Sequence, residues 1–175
     1  MISMDAQQIS NILTADFPAQ IQFVPPLVLL VLAIVSAVDA RTGRVPDVPV
    51  VGAFLGTFFA LAYYGGWLRA AEHFAYAAAA VLALRFFNHL YLKISKHDAF
   101  GFGDAKWTGL AVLAYGYKPV IAAWVIGAWL ALIWMGLRKI WRRFSSTYEG
   151  HEYVHFAPFL FLGLIAALFV VIPRL

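Results

Sequence analysis

The sequence predicts an all-α, polytopic membrane protein of about six transmembrane helices, with both termini outside the cytoplasm. Three observations lead there. Of the 175 residues, 63% are hydrophobic and 13% are charged, whereas soluble chains are about half apolar and a quarter charged. The apolar residues fall into six runs divided by short, breaker-bearing loops. The basic residues gather on one side of that arrangement. The composition also excludes a disordered chain. Cysteine is absent, which removes disulfides, a thiol nucleophile and Cys-ligated zinc.

Residues 1–24 read as an extracytoplasmic tail. It carries Asp5 and Asp16 and no base, unlike the basic start of a secretory signal. Residues 25–175 read as a single transmembrane domain. Pro25 and Pro26 open the first run, Leu27 to about Ala40, because proline at a helix start gives up no hydrogen bond. The other runs are about Pro49–Tyr64, Ala71–Leu92, Asp104–Tyr117, Val120–Ile140 and Phe156–Ile172. Gly65-Gly66, Gly101 and Gly103, Pro119, Gly150 and Pro173 punctuate their ends. The second and fourth runs look short. Ala75–Ala83 implies close helix packing.

Charge sets the orientation. If the first helix runs inward, the inner loops hold Arg41, Arg44, Lys93, Lys96, Lys106, Arg138, Lys139, Arg142 and Arg143, and the outer segments hold Arg69, Lys118 and Arg174. Arg138–Arg143 therefore reads as an orientation signal facing anionic lipid, not as a nucleic-acid patch. Arg85, Asn88 and His89 fall on the inner half of the third run, where they could line a polar cavity. His73 beside Glu72 reads as outer loop.

This topology brings two acids to one membrane face. Asp39 lies near the inner end of the first helix, and Asp104 near the inner start of the fourth. Ionisable groups at membrane depth are costly and tend to mark function, although a lone Asp at a helix end also serves as a solvated cap. Asp104 closes Gly101-Phe102-Gly103-Asp104, whose glycines permit a tight turn and close approach by another chain. Two adjacent carboxyls share a proton, giving an acid and a base that together activate water against an amide. Neither role is assigned to one Asp over the other. Lys106 is placed to bias the pair, to contact substrate, or to serve as an inner-face charge.

Asp39-Ala-Arg-Thr-Gly-Arg-Val-Pro-Asp47 resembles the first catalytic segment of the type IV prepilin peptidases, and Gly101-Phe-Gly-Asp-Ala-Lys106 their second, GxGDxK. His155-Phe-Ala-Pro-Phe-Leu160 resembles the start of their last helix. The resemblance implies that Asp39 and Asp104 are the catalytic pair of a GxGD aspartic membrane protease, with Gly101, Gly103 and Lys106 in the active-site loop. It implies cleavage of basic leader peptides from prepilin or pseudopilin precursors at the cytoplasmic face of a bacterial inner membrane, without a cofactor. Longer members carry paired CxxC motifs and N-methylate the product. This chain, lacking cysteine, resembles the short type associated with tight-adherence pili, and Trp107 departs from the aliphatic residue often found there.

His151-Glu152-Tyr153-Val154-His155 supplies a rival, since HExxH on a helix binds zinc with Glu as general base. Pro158 opposes it. Proline belongs in the first turn of the last helix, which places residues 151–155 ahead of that helix. A third ligand would also be needed, and His89 and His97 are the available histidines. A further alternative is a non-enzymatic subunit whose Asp pair handles protons or ions.

Overall fold

A computed structural model of the chain describes residues 22–95, 101–144 and 155–170. The regular structure there is entirely helical: α1 Val24–Thr42, α2 Asp47–Ala60 prolonged by a π-turn Leu61–Gly65, α3 Trp67–Ser95, α4 Phe102–Tyr115, α5 Tyr117–Phe144 and α6 Ala157–Val170. Each stands on one of the six apolar runs. Pro25 and Pro26 sit in the first turn of α1 and Pro158 in that of α6, as their fixed φ requires.

Four helical segments are long and apolar enough to cross a membrane: Val24–Thr42, Asp47–Gly65, Trp67–Ile94 and Tyr117–Trp141. The second segment is three residues longer than the run Pro49–Tyr64, because the helix begins at Asp47 and its terminal π-turn ends at Gly65. The short helices are α4 and α6, with 14 residues each, or about 21 Å of rise. For α4 the shortness is explained by its surroundings. It packs against all five other helices, and every residue from Trp107 to Tyr115 is buried. Its backbone never has to meet lipid.

The core is built around α4. Trp107, Leu110 and Leu113 meet Leu32 and Val35 of α1 and Leu160, Leu164 and Leu168 of α6. Large apolar side chains point outward instead from α1 (Leu27, Leu30, Ile34), α3 (Leu82, Phe86, Phe87) and α5 (Trp129, Leu132, Ile133), as a lipid-facing surface demands. Two ties fix the far end of α4. Tyr115 Oη donates to the Pro25 carbonyl, and His73 Nδ1 lies 3.0 Å from the Leu113 carbonyl oxygen. His73 is thus part of α3, not of an outer loop, because α3 begins at Trp67, ahead of the apolar run.

The α5–α6 contact depends on small residues. A Cβ on Gly163 would clash with the Ala123 carbonyl oxygen, and one on Gly127 would lie 2.9 Å from that of Phe159. With backbones this close, Gly163→Ala must push the helices apart. It is expected to cost about 1–3 kcal/mol, read as a lower unfolding temperature in detergent. Gly136→Ala, on the same α5 but facing open space, should leave that temperature level or slightly raised.

Candidate active site

Asp39 lies in the last turn of α1, which ends at Gly43 in the left-handed region (φ 68°). The Gly43 N–H donates to the Asp39 carbonyl at 2.8 Å. The Asp39 residue is only 7% exposed. Its carboxyl lies near Ala157, the first residue of α6, and near the imidazole of His155. A helix N-terminus favours an anion, and the start of α6 supplies one near Asp39. A Cβ on Gly43 would come within 2.7 Å of His155 Cε1; glycine there admits both the backbone turn and the ring.

One turn earlier, Ser36 ties three helices together. Its hydroxyl donates to the Ala157 carbonyl at 3.2 Å and accepts from Trp107 Nε1 at 3.1 Å. Trp107 is fully buried. Its indole thereby fixes α4 to α1 at the level of the acids, a function that an aliphatic residue cannot supply.

Asp104 occupies the third position of α4 and is 8% exposed. Its Oδ2 accepts the Gly101 N–H at 3.2 Å, while its own N–H donates to the Gly101 carbonyl at 3.1 Å. This is half of a capping box, the half that a glycine N-cap can make. Thr108 Oγ1 donates to the Asp104 carbonyl at 2.7 Å and accepts from Trp124 Nε1 at 3.1 Å, which holds the first turn of α4 against α5. The Asp104 carboxyl is close enough to Asp39 for their charges to interact. The structure therefore brings together the two acids that the sequence placed on one face.

The remaining motif residues fall differently. A Cβ on Gly103 would lie 2.6 Å from Val45 Cγ2, so the close approach that Gly103 permits is filled by the chain's own α1–α2 loop and not left open for substrate. Lys106 does not aim at the acid pair. It pairs with Asp47 and lies 4.3 Å from the Phe102 ring centroid. That link straps the start of α2 to the start of α4. Its partly exposed partners make it a weak tether, worth about 1 kcal/mol at most. Of the zinc-type motif, His151 and Glu152 lie outside the described residues, as does His97. His155 precedes α6 and serves the Asp39 side. Among the described residues, no group of three His, Cys, Asp or Glu side chains is arranged to hold a metal ion.

Arg85, Asn88 and His89 do line a cavity, a partly open cleft of about 300 Å³ between α3 and the start of α4, bounded also by Leu84, Leu92, Gly101, Phe102 and Ala105. Ser36 and Val45 are the site residues that sequence reasoning missed. Ser36 left a signal, being the single hydroxyl in the apolar stretch from Val24 to Val38. Val45 left none beyond its place before Pro46.

The sequence pattern of the type IV leader peptidase family matches residues 27–136, a stretch that includes both buried aspartates and most of the bundle. The chain belongs to the type IV leader peptidase family. This family member is accordingly a membrane protease acting on protein substrates. The matched stretch stops short of His155 and α6. Neither a curated protein nor a solved structure matches the chain.

Proposed function

We propose that this leader peptidase is an aspartic endopeptidase that removes the leader from type IV prepilin-like precursors at the cytoplasmic face of the bacterial inner membrane, for pilus or secretion-system biogenesis. One observation carries the reading. Two aspartates from α1 and α4 are each buried and lie close enough for their carboxyls to interact, and Asp104 is held by the Gly101 N–H.

The chemistry follows from that pairing. A water between the carboxyls gives a proton to the ionised one, and its oxygen attacks the scissile carbonyl. The protonated carboxyl supplies a proton to the carbonyl oxygen. Collapse of the tetrahedral intermediate then breaks the C–N bond, and the amine leaves with a proton from the pair. Orientation is supported by the bias of Lys and Arg towards the loops on the acid side. If the Tyr115 end of the 14-residue α4 reaches the outer boundary, its rise of about 21 Å would leave Asp104 below the inner one, which supports the same orientation. With no cysteine in the chain, the enzyme acts as a peptidase without the CxxC-bearing methylase of longer relatives.

The test is co-expression with a prepilin. The wild type should trim the precursor. Asp39→Asn and Asp104→Asn, each inserted and folded, should leave it whole. Full processing by either variant overturns the reading, and Asp-dependent proton flux in liposomes without cleavage would establish an ion-handling subunit instead.

A further inference from the structure

We propose that the cleft between α3 and the start of α4 is a carboxylate-binding subsite, in which Arg85, with Asn88 and His89, receives an acidic side chain of the protein substrate. This rests on the peptidase reading and extends it to specificity.

The three polar residues stand at i, i+3 and i+4 on α3, so they share one face, and all three line the cleft. The Arg85 guanidinium lies 5.0 Å from the centroid of the Phe102 ring. Stacking of this kind orients the planar group and leaves its edge donors for a bidentate anion. Among the described residues, no carboxylate lies within ion-pair distance of Arg85; the neighbouring cation, Lys106, already has Asp47. Leu84, Leu92 and Ala105 make up the apolar wall, which strengthens a charge-assisted hydrogen bond relative to open water. The volume suits a side chain.

Position favours substrate over a lipid headgroup. Gly101 bounds the cleft and also donates the N–H that holds Asp104. Ala105, which also lines the cleft, follows Asp104 directly. An extended peptide advances about 3.3–3.6 Å per residue, so a side chain seated in the cleft belongs to a residue within a few positions of the bond being cut. An acid there would fix the register of the substrate on the carboxyl pair.

The experiment uses the purified full-length protein and a model precursor with a basic leader, a glycine at the cleavage point and an apolar helix. A single Glu is moved through the six positions on each side of the scissile bond, with Gln counterparts. At one position the wild type should prefer Glu over Gln by about tenfold or more in kcat/KM, the size expected for a hydrogen bond to a charged group. That ratio should fall to near unity in Arg85→Gln and recover in part in Arg85→Lys. Arg85→Glu should instead prefer Lys at the same position. A merely structural Arg85 would lower Glu and Gln peptides alike and leave the ratio intact, which overturns the proposal. So does a loss in Arg85→Gln that is common to all peptides and appears only in vesicles containing phosphatidylglycerol, not phosphatidylcholine alone, since that assigns the cleft to lipid. Failure of the wild type to cut any peptide, or cleavage retained by Asp104→Asn, would overturn the peptidase reading itself and the subsite with it.

Discussion

Removing both carboxyls should cost no more activity than removing one. Asp39→Asn, Asp104→Asn and the double variant are each expected to lose on the order of 10³-fold or more in the rate of precursor cleavage, with similar residual rates. The expectation comes from how the two side chains are held. Asn keeps the shape of Asp and retains an oxygen, which at position 104 still accepts the Gly101 N–H. It cannot exchange a proton in the way a carboxyl does. If one water is activated by the pair, loss of either member removes the whole acid–base function, and the second substitution finds nothing left to remove. Stability should move the other way. Two buried carboxyls interact unfavourably, and replacing either with a neutral amide relieves that interaction, so the Asn variants should unfold at or above the wild-type temperature. Single-turnover cleavage in detergent, with unfolding followed on the same samples, reads both. Multiplying losses in the double variant would mean that the acids act in separate steps, and a shared water would then be the wrong description.

What the sequence disclosed and what it withheld divide along physical lines. Apolar runs mark membrane helices because the bilayer, not a neighbour, sets their composition, and all six were legible. So were Asp39 and Asp104, since a charge in such a run is costly enough to be conspicuous. Pro158 correctly placed the start of α6 beyond His155, because its ring clashes with a preceding helical carbonyl. Partners were not legible. Helices that are apolar on every side carry no stripe to tell a protein-facing surface from a lipid-facing one, so nothing in α1 or α4 announced that Trp107 would reach Ser36. Lys106 read as an inner-face charge or a neighbour of the acids. Its actual partner, Asp47, is 59 positions away and visible only once α2 and α4 are placed side by side. The role of His155 was hidden for the same reason. Its spacing to His151 drew attention to zinc, whereas its ring lies against Gly43 and near Asp39, which precede it by most of the chain.

The two glycines of Gly101-Phe102-Gly103-Asp104 should respond very differently to a methyl group. Gly101 has φ −67° and ψ 149°, extended backbone that any residue adopts, and a Cβ there would find its nearest neighbour, Asp104 Oδ2, at an ordinary 3.6 Å. Gly101→Ala is therefore expected to cut within about tenfold of the wild-type rate. At Gly103 the added Cβ would meet Val45 Cγ2 at 2.6 Å and Val45 Cβ at 2.9 Å. Val45 cannot easily swing clear. It precedes Pro46, and the proline ring confines the residue before it to extended geometry, while Val45 itself packs against the core. The start of α4 must yield instead, taking Asp104 away from Asp39. A misplacement of about 1 Å at a reacting group costs on the order of 10²-fold, and the overpacking adds about 1–3 kcal/mol of instability. Val45→Gly removes both clashing atoms, so the pair Gly103→Ala with Val45→Gly should regain part of the lost cleavage, less what the extra glycine costs in loop entropy. Rescue by the partner substitution separates internal packing from substrate access. If Gly101→Ala proves as damaging as Gly103→Ala and Val45→Gly restores nothing, the glycines serve an incoming chain, and the loop over the acids is not what keeps them together.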